Sequence, residues 1–391
     1  MRFLHTSDWH LGRRLYEASL AADQAYVLDQ IFAMCRDERV DALVIAGDLF
    51  DRAVPPVEAL GLLGELFERV VRDLDVPIIA ISGNHDSPDR LGFGARVLAR
   101  GRVHILTAFG RRAEPVVVES RRRKLHFYGL PFLEPEVART GLADDSLTTH
   151  DAAVHAALAA VQADRAARGA AEAVLVAHLF AAGGRESPDS ERPLVLGGAA
   201  QVSLPVLAEG WWSYVALGHL HQAQPVGERT DIRYSGAPLA TSFGEAGGLK
   251  SASLVEIVCG RAAVRELPLT PLRSLVKIAG PFEELLASPE HAHAEDAYVQ
   301  ATYTDGYVLD ATARLRRRFP HLLQALPAAE LPATLVPRAA AVPRALDEGE
   351  LLQGFWQHVE GEAADPELAE AFARVVAAVR ARDREACALA S

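Results

Sequence analysis

The sequence predicts an α/β fold. Short apolar runs that each stop at polar residues recur through residues 1–268, as buried strands do. Amphipathic segments near 21–39 and 56–73 separate the first three runs, which is the strand–helix alternation of a parallel sheet. Half of the 391 residues are apolar, ample for a packed core and for more than one domain.

The elements follow in order. "RFLHTSD", "DALVIAGD" and "PIIAISGN" are the first three strands, and "AVLVAHL" and "WSYVALGHLH" are two later ones. Further strands are expected at 103–106, 114–119, 124–129, 232–236, 251–258 and 262–268, without the early helix alternation, so the sheet content is mixed and divides into two sheets. After "LPLTP" the pattern resets to β-α-β-α, giving a small second domain at 271–328. Residues 332–349 are rich in Pro and Ala and read as a linker. The tail, 350–391, carries two amphipathic helices. One presents Leu351, Leu352, Phe355, Trp356 and Val359; the other starts at Asp365-Pro366 and presents Leu368, Phe372, Val375, Val376 and Val379. Their separation from the core by a linker favours a partner-docking face.

Composition narrows the setting. The three cysteines, Cys35, Cys259 and Cys387, are scattered and form no CxxC pair, so a reducing, cytoplasmic compartment is expected. "MRFLHTSDWH" has no apolar h-region, so no secretory signal is expected. No apolar run has the length of a membrane span; the Ala-rich stretch 152–177 comes nearest and is broken by Asp164, Arg165 and Arg168. A net charge of −12 excludes a simple basic nucleic-acid binder, although "RRRK" at 121–124 and "RLRRR" at 314–318 are local basic clusters.

The chemistry lies at the strand ends. Asp8 and His10, two apart, project to one side of the first strand's end. Asp48 follows the second run, and Gly47 lets the backbone pass close by. Asn84, His85 and Asp86 follow the third, His178 ends "LVAHL", and His219 and His221 end "ALGHLH". Any one of these has a plainer reading, because Gly, Asn, Asp and Pro make turns and a lone His is often a structural hydrogen-bonding group. The ordered set D-x-H, GD, GNHD, H and GHxH is instead a ligand set at the carboxyl ends of strands, where α/β sheets form their sites. A carboxylate can bridge two cations, and Asp48 is the best candidate. Nitrogen and oxygen donors without thiolate suit Mn²⁺, Fe²⁺ or Zn²⁺ better than Ca²⁺ or Mg²⁺. Two such ions about 3.5–4 Å apart clamp a phosphoryl group. On this reading Asn84 is a ligand, His85 assists the leaving oxygen, and Asp86 orients His85 by accepting its other N–H.

These motifs resemble the calcineurin-like metallophosphoesterase superfamily. With "HTSDWHLGRRL", "GDLFDR", "GNHDSPDRL", "HLFAAGG", "GHLHQAQ" and "YSGAPLATSFGE", the chain is similar to the nuclease D subunits of bacterial SbcCD complexes. The resemblance implies a four-layer α/β/β/α sandwich over 1–268, a small α+β capping domain that binds DNA at 271–328, and C-terminal helices that hold an SMC-like ATPase. It implies one cation at Asp8, His10, Asp48 and His221, and a second at Asp48, Asn84, His178 and His219, with Mn²⁺ the expected ion. It also implies a homodimer within a heterotetramer, and a DNA nuclease, 3′→5′ on duplex ends and endonucleolytic on single strands and hairpins. Asp51 stands where some relatives have a second functional histidine. The alternative reading is a two-metal phosphodiesterase or phosphatase for a small molecule or protein; a non-enzymatic scaffold is disfavoured because every ligand is present.

Overall fold

A computed structural model describes residues 1–107, 114–120, 123–185, 201–209, 212–306 and 308–328, together with Trp356, Asp365, Glu370, Ala371 and Arg374. The chain divides into two compact units, 1–328 and 329–391. The linker expected at 332–349 lies outside the described residues, as do the tail helices apart from those five. So do Arg121, Arg122 and residues 186–200.

In chain order the principal elements are β1 (Arg2–Thr6), α1 (Ala21–Asp37), β2 (Ala42–Ile45), α2 (Val57–Leu74), β3 (Ile78–Ile81), β4 (Val103–Leu106), β5 (Val116–Ser120) and β6 (Arg123–Leu130). There follow α3 (His150–Arg168), β7 (Ala173–His178), β8 (Tyr214–Gly218), β9 (Gln224–Val226), β10 (Arg229–Tyr234), β11 (Lys250–Val258) and β12 (Arg261–Leu269). The last are β13 (Leu275–Gly280), α4 (Phe282–Ala287), β14 (Tyr298–Tyr303), α5 (Ala311–Arg316) and β15 (Leu322–Pro327).

Two six-stranded sheets carry the site. The first runs β12-β11-β1-β2-β3-β4, with β1 to β4 parallel. The second runs β9-β10-β8-β7-β6-β5, with β6, β7, β8 and β10 parallel. Phe3, Val44, Ile79 and Ile81 of the first sheet share one buried cluster with Phe127, Val174, Val176 and Tyr214 of the second. The alternate residues Leu4, Leu43, Ile45 and Ile78 pack on α1 and α2, while Leu175, Ala177, Val215 and Leu217 pack on α3. Burial on both faces explains why these strands read as unbroken apolar runs rather than alternating ones. The helices contribute stripes at helical spacing, such as Leu63, Leu66, Phe67 and Val70 on α2.

The structure adds detail to two sequence readings. The Ala-rich stretch 152–177 is the helix α3, begun by Thr149, whose side chain accepts from the Ala152 N–H, and followed by β7 from Ala173. Among the described residues no helix is long and apolar enough to cross a membrane. The small β-α-β-α segment gains a third strand, β15, parallel to β14, and has its own core of Ile278, Phe282, Leu285, Val299, Leu315 and Phe319. It joins the first sheet's helices through Tyr298, whose hydroxyl donates to Asp23 Oδ2 at 2.8 Å.

Candidate metal centre

Strands β1, β2, β3, β7 and β8 are parallel within their sheets, so their carboxyl ends gather and their loops meet. The loops after β1 and β2 bond to each other: Asp8 N donates to Gly47 O, His10 N to Asp48 O and Leu11 N to Leu49 O, at 2.9–3.0 Å. That path places Asp8 at φ 55°, His10 at 45° and Asp48 at 51°, and in the loop after β8 His219 is at 116°. Non-glycine residues enter this region at a cost of ~1–3 kcal/mol each, and such strain collects where side chains are aimed for function. Two glycines permit the crossing. A Cβ on Gly47, itself at φ 93°, would lie 2.3 Å from His178 Nδ1, and one on Gly218 would lie 1.9 Å from Ala46 O.

The donors converge in three overlapping groups. Carboxylate and imidazole atoms of Asp8, His10 and His221 lie within 4.8 Å of one another, as do those of Asp8, Asp48 and His178 and those of His10, Asp51 and His85. Asn84 Oδ1 adjoins the second group, 2.9 Å from His178 Nε2 and 3.2 Å from His219 Nδ1. All seven residues predicted as ligands are therefore neighbours. Six are buried, whereas Asn84 and His85 are half-buried, so the centre opens beside them.

The lone pairs fit divalent cations. His178 Nδ1–H donates to Ala46 O at 2.8 Å, so the Nε2 lone pair faces Asn84 Oδ1 and Asp48 Oδ2, the latter at 3.4 Å. His221 Nδ1 is 3.4 Å from the Glu245 carboxylate, and its Nε2 is 3.1 Å from His10 Nε2. Acceptors that face one another in a buried site need positive charge between them. The electrostatics agree. Burial opposes an imidazolium at His178, but the Asp48 carboxylate, with Asp8 and the Ala46 carbonyl, outweighs it and holds the pKa up at about 9. Burial likewise opposes ionised Asp48, yet His178 and His10 hold it well below the usual carboxylate range. Burial pushes His219 down to about 3 and His10 well below its ordinary value, leaving neutral imidazoles suited to ligation. Nitrogen and oxygen donors make up the whole cluster.

The support for His85 differs from the sequence reading. Asp86 does not orient it: its carboxylate accepts the backbone N–H groups of Leu49 (3.1 Å), Phe50 (3.0 Å) and Gly83 (2.9 Å), tying the loop after β2 to the loop after β3. Three backbone amides engage the Asp86 carboxylate, and the described residues show no bond from it to the His85 ring. Burial, then the Asp48 charge, pushes Asp86 up to about 7 despite those amides. His85 instead donates Nδ1–H to Asp51 O at 2.9 Å, and its backbone N–H donates to Asp48 Oδ1 at 2.8 Å. Sequence reasoning also missed the support behind the ligands. Glu245 and Thr241 lie against His221, and Gln24 Nε2 donates to His10 O at 2.7 Å. "SFGE" marked the segment of Glu245, but nothing local to it indicates contact with His221.

The profile of the calcineurin-like phosphoesterases matches residues 1–150. Solved structures similar to the chain include the calcineurin-like phosphoesterase YfkN from Bacillus subtilis, 12% identical with a TM-score of 0.39, over 69% of this chain and 90% of that one. Another is TT1561 of Thermus thermophilus, 13% identical with a TM-score of 0.39, over 68% of this chain and 98% of that one. The match to the calcineurin-like phosphoesterase profile, over residues 1–150, spans Asp8, His10, Asp48, Asn84 and His85.

Proposed function

We propose that this chain is the nuclease subunit of a DNA-processing complex, a metal-dependent phosphodiester hydrolase with 3′→5′ exonuclease and single-strand or hairpin endonuclease activity. The observation that carries the hydrolase is the pairing of a buried donor cluster with a half-exposed His85, whose Nε2 has no hydrogen bond among the described residues. Divalent cations bound there would polarise a phosphoryl oxygen and lower the pKa of water. The protein's part is to hold donors and proton. Asp48 Oδ2 lies 3.4 Å from His178 Nε2 and 3.8 Å from His10 Nε2, within reach of a ligand from each proposed cation site. His85, whose Nδ1–H donates to Asp51 O, would as the imidazolium donate Nε2–H to the leaving oxygen at the open side.

DNA as the substrate is supported by the motifs that single out the SbcCD branch and by the small domain. There Arg316 and Arg317 are exposed on and beside α5, where guanidinium groups can meet phosphates without reading sequence. The SMC-like ATPase is proposed to dock on the tail helices. The homodimer is proposed at exposed apolar residues Val54, Val57, Leu60, Phe93 and Val97, with Phe93 exposed to 87%. A second copy covers them by two-fold symmetry, and Phe93→Glu should leave a monomer by light scattering. The net charge of −12 favours the second reading, a phosphodiesterase for a small or protein substrate.

The test is the purified chain with Mn²⁺ on an end-labelled duplex, a hairpin and bis-p-nitrophenyl phosphate, beside His85→Gln. DNA cleavage that His85→Gln lacks, with its metal content unchanged, is expected. Hydrolysis of the ester alone, persisting after the ATPase subunit is added, would refute the nuclease reading and leave the second.

A further inference from the structure

We infer that Asp51 is a positioning residue for both His10 and His85, setting the imidazole tautomer of one through its carboxylate and that of the other through its carbonyl. The inference rests on the metal-centre reading above. His10 is buried, with Nε2 turned to His221 Nε2 at 3.1 Å and to Asp48 Oδ2 at 3.8 Å. A ligating Nε2 leaves the ring proton on Nδ1. That Nδ1 is buried and has no hydrogen-bond partner among the described residues. A buried donor left in that state costs ~1–3 kcal/mol. The carboxylate facing it is Asp51 Oδ1, 4.0 Å away, and a closing movement of about 1 Å would bring the pair to hydrogen-bond length.

The rest of Asp51 is fixed for this task. It is buried, and its N–H donates to Leu11 O, on the same loop as His10. Its carbonyl accepts His85 Nδ1–H at 2.9 Å. Arg13 Nη1 holds Oδ1 at 2.8 Å, which keeps a negative charge beside the centre tolerable. On the opposite side of the centre Glu245 stands in the same relation to His221. The arrangement gives each of the two facing imidazoles its own carboxylate. It also gives Asp51 a role that does not require the proton chemistry of a second histidine at that position.

The competing account is that Asp51 only neutralises Arg13 and Arg52. Mn²⁺ titration calorimetry on the full chain separates the two, with bis-p-nitrophenyl phosphate hydrolysis alongside. Asp51→Ala should weaken Mn²⁺ binding about 10- to 100-fold and lower kcat, Asp51→Glu should recover part of both, and Arg13→Ala, which disturbs only the partner of Asp51, should lose clearly less than Asp51→Ala. Equal binding by Asp51→Ala and wild type, or an equal loss in Arg13→Ala, would overturn the inference. Should Asp51→Ala not fold, Asp51→Asn keeps the volume and decides: weaker binding supports the inference, and unchanged binding overturns it. Glu245→Gln serves as the control. Wild type that binds no Mn²⁺ overturns the centre and this inference together, whereas binding lost in Glu245→Gln but not in Asp51→Ala overturns this inference alone.

Discussion

Replacing Glu245 by Gln separates what the centre owes to its supporting shell from what the fold owes to a buried ion pair. Glu245 Oε1 accepts from Thr241 N at 3.0 Å and Thr241 Oγ1 at 3.2 Å, and lies 3.4 Å from His221 Nδ1. Oε2 pairs with Lys250, whose ammonium also donates to His221 O at 3.0 Å. Both side chains are buried. Burial opposes the charge, but His221 and Lys250 hold the carboxylate well below its usual range. Two effects should follow Glu245→Gln. Loss of the carboxylate behind a ligating histidine should weaken Mn²⁺ binding about 10- to 100-fold, or about 1.4–2.7 kcal/mol. Leaving the Lys250 ammonium buried and unpaired should cost ~3–5 kcal/mol of folding stability. The double variant Glu245→Gln/Lys250→Met should regain most of the stability and none of the metal affinity. Titration calorimetry reads the first quantity and urea unfolding of the metal-free chain the second. Mn²⁺ affinity within about threefold of wild type would refute the assigned support of His221. A double variant no more stable than the single one would refute the ion-pair argument.

Other predictions follow from packing and charge. Gly218→Ala places a methyl 1.9 Å from the Ala46 carbonyl, with no rotamer to relieve it, and should cost more than ~4 kcal/mol, read as lost soluble expression or a collapsed Tm. Gly61→Ala, on α2 with nothing within 4 Å of the new methyl, should instead stabilise by ~1 kcal/mol through helix propensity. Burial pushes the Cys35 thiol up to about 12, so in a Cys387→Ser background a thiol reagent should label exposed Cys259 and spare Cys35 until the chain unfolds. Equal labelling of both in the native state would contradict the packing beneath α1.

The strand ends were legible because their signals are local. A buried strand must stop before the chain can turn, so Asp8 and His10, Asp48, Asn84 and His85, His178, and His219 and His221 each announce themselves close to the end of an apolar run. That they face one common point follows from parallel strands in two packed sheets. What could not be read depends on distant partners. Glu245 reaches His221 across 24 residues of sequence, and Tyr298 reaches Asp23 across 275. Asp86 follows His85 in sequence and invites the reading of a ring partner, but three backbone amides claim its carboxylate first. The helix α3 hid within an alanine-rich stretch whose apolar stripe, Val154, Leu158 and Val161, is thin.

The central claim is that these strand ends make two neighbouring cation sites that share Asp48. Anomalous scattering from crystals grown with Mn²⁺ measures it directly. The account predicts two peaks, one contacting Asp8, His10 and His221 and the other contacting Asn84, His178 and His219, with Asp48 touching both and neither peak surviving Asp48→Ala. A single peak, or two peaks that persist in Asp48→Ala, would contradict it.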